Sequence, residues 1–155
     1  MTGNSSISKL SAVLLIFVLV FTALPMGQAS ASSSSVYINE MQVSTTGTDW
    51  EFFEIQGSPG TDLSDLTLVG FESDYGTSAG TIDLVISLSG QLILADGFWV
   101  GINEYGATTY GITGDLTISD NSFENSTATY FLVAGFTGAK GTDYDTNDDG
   151  VLDSE

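Results

Sequence analysis

Asp145, Asn147, Asp149 and Asp153 are spaced like the side-chain oxygen ligands of a calcium loop, and Gly150 follows the third of them. An EF-hand-type loop takes ligands from positions 1, 3, 5 and 9 and a backbone carbonyl from position 7. A bidentate carboxylate at position 12 closes the shell, and glycine at 6 makes the sharp turn. With Asp145 at position 1, the carbonyl falls to Val151 and the aliphatic position after it to Leu152. Position 12 would be residue 156, one past Glu155, so the loop reads as lacking its closing ligand and the chain as a piece of something longer. The expected site is Asp145, Asn147, Asp149, Val151 and Asp153 holding calcium, with affinity lowered because carboxylate count tunes binding. An Asp-rich surface turn without an ion is the bland alternative, since short motifs also match by chance.

A second set of acids lies near the start of the domain. Over residues 50–55 strand alternation sends Trp50, Phe52 and Glu54 to one face and Glu51, Phe53 and Ile55 to the other. Each face mixes an acid with aromatics, so at least one glutamate is expected to be partly buried. A buried carboxylate needs a partner or a proton. The chain has no arginine and no histidine, which leaves backbone amides, Asn39, tyrosine hydroxyls or a cation. Capping by hydrogen bonds is the expected outcome, and a second metal site from Glu40 and Glu54 the weaker one.

Catalysis has little to work with. Without histidine or cysteine there is no Ser-His-Asp triad, no cysteine nucleophile and no usual zinc shell. Lys140 follows Gly138 and Ala139 in a loop, with no phosphate-cradling strand-to-helix context. Two-carboxylate glycosidase chemistry needs only acids, but nothing in the pattern positions a sugar cleft. The chain is therefore read as a non-enzyme. Asn125-Ser126-Thr127 matches a glycosylation sequon and is read as a surface turn.

Elements to hold these residues must come from the part after residue 31. Lys9, an apolar run over 10–24, Pro25 and then Ala29-Ser30-Ala31 form a signal peptide pattern with cleavage expected after Ala31. The expected product is secreted, with no membrane attachment once the leader is removed. The remaining 124 residues suffice for one domain with its own core. They carry all 20 acids and a single base, Lys140, for a formal charge of −19. Such a surface repels phosphate backbones and anionic lipids, which disfavours direct nucleic-acid or membrane-surface binding, so none is expected. Cysteine is absent, so stability must come from packing, with possible help from metal.

Residues 32–35 read as a serine spacer, and beyond them hydrophobicity repeats every two residues between glycine and aspartate turns. Strands are expected over 36–43, 50–56, 66–71, 82–88, 91–95, 98–102, 116–118 and 128–134, with 106–114 as loop and no amphipathic helix. In 36–43 the alternation places Val36, Ile38 and Glu40 on one side and Tyr37, Asn39, Met41 and Val43 on the other. An all-β, antiparallel β-sandwich over 36–155 is the architecture this implies.

Three motifs in order carry a family likeness: Val36-Tyr37-Ile38-Asn39-Glu40, Asp49-Trp50-Glu51-Phe52-Phe53-Glu54-Ile55 and Thr61-Asp62-Leu63-Ser64-Asp65-Leu66-Thr67-Leu68. With Gly97-Phe98-Trp99-Val100 and the approach through Phe123 to Val133, the series resembles the bacterial lamin-tail domain over residues 36–153. Asp65 and Leu66 depart from that pattern, which has glycine and tryptophan there. The resemblance implies an immunoglobulin-like sandwich lacking its last strand. It also implies an exported module with a structural, adhesive or docking role towards a protein, a matrix component or a neighbouring catalytic domain. The alternative it implies is an accessory domain of a larger secreted nuclease or phosphatase whose catalytic part follows residue 155.

Overall fold

The computed structural model describes residues 35–73 and 79–153. The expected leader over 1–31 and most of the serine spacer lie outside the described residues. The elements in order are β1 (Tyr37–Gln42), β2 (Phe52–Gln56), β3 (Leu66–Glu72), β4 (Ile82–Ser87), β5 (Phe98–Ile102), α1 (Glu104–Tyr110), β6 (Leu116–Thr117) and β7 (Ala128–Ala134). They form a four-stranded sheet, β1-β2-β5-β6, and a three-stranded sheet, β4-β3-β7. The chain is all-β with a sandwich-like arrangement of two sheets, as the period-two pattern implied.

Alternation explains which residues fill the space between. Phe53 and Ile55 of β2, Trp99 of β5 and Leu68 of β3 are buried in one cluster with Leu63, Leu88, Ile93, Ile118 and Phe123. Phe53 packs on Trp99 with ring centroids 5.3 Å apart, and the Trp99 indole N–H donates to Gln91 Oε1 at 2.9 Å. An indole can be buried this deeply only because its polar tip has a partner. Gly101, opposite Phe53 in the β2–β5 ladder, leaves the ring its room: a Cβ there would sit 2.4 Å from the Phe53 ring. Truncating Phe53 would remove the centre of this cluster, a change that costs about 3–5 kcal/mol in well-packed cores.

Four local expectations are corrected. Residues 91–95 form no strand, because their backbone bonds go to the 60–63 loop instead. Gly60 N–H donates to Ile93 O and Ile93 N–H to Thr61 O, leaving one isolated bridge, Asp62 to Leu92. The 106–114 segment is partly helical: α1 begins after Asn103, whose side-chain oxygen accepts the Gly106 N–H, and ends at Gly111 in the left-handed region. The sheets are not wholly antiparallel, since β6 pairs parallel with β5. In β1 a bulge at Asn39 resets the register, so that Tyr37 and Glu40 stand opposite Gln56 and Glu54 while Ile38 and Met41 oppose the inward Ile55 and Phe53. Strict alternation could not show that extra residue.

Of the two glutamates over 50–55, at least one of which is expected to be partly buried, Glu51 is fully inaccessible, just before β2. Its Oε1 accepts the Phe123 N–H and its Oε2 the Ser122 N–H, both at 3.0 Å. Asn103 completes the node: its Oδ1 accepts the Glu51 N–H, and its Nδ2 donates to Asp49 O and to Glu51 Oε2. Burial raises the Glu51 carboxyl above its ordinary value, those amides oppose the shift, and the Asp49 charge adds to it. This node ties the start of β2, the cap of α1 and the loop before β7.

Candidate metal centre

The loop after β7 is anchored before its acids begin. Ile82 N–H donates to Thr142 O, Tyr144 N–H to Gly80 O, and Thr81 bridges Asp143. The Tyr144 ring packs edge-on against Phe71 with centroids 6.0 Å apart. Gly80, at φ +82°, lets the two segments meet: a Cβ there would lie 2.4 Å from Asp145 Cβ. Asp145 is thereby pressed to 1% exposure at the root of the loop.

From that root each acid takes the backbone further round. Asp145 Oδ1 accepts the Asp149 N–H at 3.0 Å and Oδ2 the Gly150 N–H at 2.8 Å. Asn147 Oδ1 accepts the Asp149 N–H at 3.0 Å, and Asp149 Oδ1 accepts the Val151 N–H at 2.9 Å. These side-chain turns are the mechanism by which Asp and Asn bend a chain. Asp148 and Gly150 supply the left-handed residues at φ +55° and +82°. Asp153 reaches back across the loop, where its Oδ2 accepts from the Thr146 N–H at 2.9 Å and the Thr146 hydroxyl at 2.6 Å. Those two bonds lower the Asp153 carboxyl below its ordinary value.

The donor set is all oxygen, which suits a hard cation. Asp145, Asn147 and Asp149 share one tight loop, and each keeps oxygen lone pairs beyond the bonds above. Asp153 is engaged with Thr146, and Val151 takes part through its N–H. Among the described residues no group of three or more acidic side chains is gathered closely enough to grip one ion. Glu40 and Glu54 do come together across β1 and β2, but as a pair, with Asn39 Nδ2 donating to Glu54 Oε1 at 2.6 Å. Sequence reasoning missed Gly80 and Thr146, since neither belongs to the loop motif's ligand positions. Asn125 of the sequon lies on the surface, its side-chain amide donating to Asp49 Oδ2 at 3.0 Å.

No protein-family model, curated protein or solved structure matches this chain.

Proposed function

We propose that this chain is an exported, non-catalytic β-sandwich module of lamin-tail type, with a structural or docking role and a calcium-stiffened loop over residues 145–153. The observation that carries the metal reading is the chain of side-chain turns rooted on buried Asp145. It curls the backbone about the spaced oxygens of Asp145, Asn147 and Asp149. Calcium bound there would draw Asp153 away from Thr146 to complete the carboxylate set, and Val151 would add its carbonyl. Modest affinity suffices outside the cell, where calcium modules work at roughly 0.1–1 mM. Export is supported by the apolar run over 10–24 followed by Ala29-Ser30-Ala31.

Calorimetric titration with calcium and with magnesium tests the loop. Saturable heat with calcium, weaker with magnesium and abolished by Asp149→Ala, is the expected result. Absence of calcium heat in the wild-type chain would sink the metal reading. N-terminal sequencing of the exported protein should begin at Ser32.

A further inference from the structure

The outer face of the first sheet carries a groove that the calcium loop does not touch. Its volume is about 460 Å³, with Glu40, Phe52, Glu54, Val100, Tyr110 and Ile112 among its walls. The floor is β1, β2 and β5. The overhang comes from α1, whose last residue Tyr110 meets Phe52 edge-on at 5.7 Å and Trp50 at 6.3 Å. Gly111 in the left-handed region then turns the chain so that Ile112 follows on the same rim. Tyr110 remains 46% exposed and Trp50 37%.

Two features of this groove specify its occupant. Glu40 and Glu54 stand directly opposite each other in the ladder, where like charges are destabilising. No base of the described chain answers them: Lys140, the only one, is paired with Asp83 Oδ1 at 2.9 Å, and neither residue lines the groove. The second feature is a lopsided hydrogen-bond inventory. Asn39 spends an amide N–H on Glu54, Gln42 spends one on Ser44 O, and the Tyr37 hydroxyl donates to Gln56 Oε1. Three donors around the face are thus engaged with neighbouring acceptors, while among the described residues nothing donates to the Glu40 carboxylate. A cationic N–H donor answers both carboxylates at once, and the faces of Phe52 and Tyr110 add a cation–π surface.

We propose that this groove receives a lysine or arginine side chain from an exposed basic segment of a partner protein. This names the partner chemistry for the docking role proposed above, and it stands apart from the calcium loop. A neutral saccharide, the other ligand that aromatic surfaces take, would leave the facing charges of Glu40 and Glu54 unanswered.

The test is an NMR titration of the whole chain, in the presence of a calcium chelator, with a capped pentapeptide alternating glycine and arginine. Saturable shifts are expected at Glu54, Val100, Tyr110 and the Trp50 indole. Glu40→Gln with Glu54→Gln should weaken binding at least tenfold while the melting temperature holds or rises. Tyr110→Ala should weaken it about threefold or more. Asp65→Asn with Asp120→Asn, two exposed acids outside the groove, removes the same charge and should change binding less than twofold. Equal weakening by both acid pairs, shifts confined to other acidic segments, or saturation of the groove by a neutral glucan hexasaccharide but not by the peptide would each overturn the proposal. Calcium calorimetry on the same samples reads the metal loop separately, so failure of one leaves the other decided on its own data.

Discussion

Glu51 and Asp145 are the two most deeply buried acids among the described residues, at 0% and 1% exposure, and neither is near a base. Each solves the same problem in the same way, with one oxygen on each of two backbone N–H groups. They differ in reach. Glu51 gathers amides that lie 71 and 72 residues away, whereas Asp145 gathers amides four and five residues on. The long-range carboxylate therefore works as a clamp between segments of the fold. The short-range one shapes a single loop, in which Asn147 and Asp149 in turn accept the Asp149 and Val151 N–H groups. A buried charge alone does not mark a functional site; the sequence distance to its partners separates a clamp between segments from a local turn.

The largest expected effect breaks the clamp. Glu51→Ala leaves the Ser122 and Phe123 amides and the Asn103 side chain without their acceptor. Each buried donor so stranded costs about 1–3 kcal/mol, so a loss of about 3 kcal/mol or more is expected in urea unfolding. Glu51→Gln should recover only part of it, because an amide offers one acceptor where two are needed. A loss under about 1 kcal/mol for the alanine variant would show that the node does not clamp the fold. Asp145→Ala should be milder, about 1–3 kcal/mol, since its two stranded amides sit at an exposed loop where water can reach them. Its distinguishing outcome is loss of calcium heat, which Glu51→Ala should leave in whatever fraction remains folded.

Acidity should separate the two regions in opposite directions. The Glu51 carboxyl is raised above 4.5 in the fold, chiefly by burial. Its contribution is therefore fully present below pH 4.5 and is lost as pH rises through the folded value. Asp153 is lowered below 3.8 by its bonds to Thr146, so its contribution is present above pH 3.8 and is lost as pH falls through the folded value. Urea midpoints should accordingly rise as pH is brought from 7 towards about 4.5, with the rise flattened in Glu51→Gln. The protection of the Thr146 amide relative to its intrinsic exchange at each pH should fall only below about pH 3.8. A wild-type midpoint that falls on the way to pH 4.5 would contradict the Glu51 assignment.

How much of this was legible beforehand follows the same division by distance. The 145–153 spacing could be read directly because every partner in that loop is local. Likewise, alternation over 50–55 grouped Glu51, Phe53 and Ile55 on one face, but with an acid and aromatics on both faces it could not say which of the two is buried. The partners of Glu51 could not be read, since nothing in Ser122 or Phe123 signals that their amides point at an acid far up the chain. The Asn39 bulge was hidden because both registers keep an apolar residue at Ile38, and only pairing with β2 selects between them. Helix α1 was missed because EYGATTY has no apolar stripe; its one signal was Asn103, a good N-cap two residues before a tyrosine. Residues 91–95 carry an apolar run like a strand's, yet they lie between two turns and bond mainly to the 60–63 loop.

The smallest effect gives the sharpest view of the loop. Thr146 holds Asp153 with both a backbone N–H and a hydroxyl. Thr146→Val removes the hydroxyl but keeps the shape, at a cost of about 0.5–1 kcal/mol to the calcium-free protein. If calcium draws Asp153 away, that same hydroxyl competes with the ion. Its removal should then tighten calcium binding by roughly two- to fivefold, the same free energy read as affinity. Stability without calcium and affinity for calcium should move in opposite directions in this one variant. A purely structural turn predicts lower stability with no change in calcium heat. Unchanged affinity in calorimetry would mean that Asp153 belongs to the turn, and that the ligand set ends at Asp149 and the Val151 carbonyl.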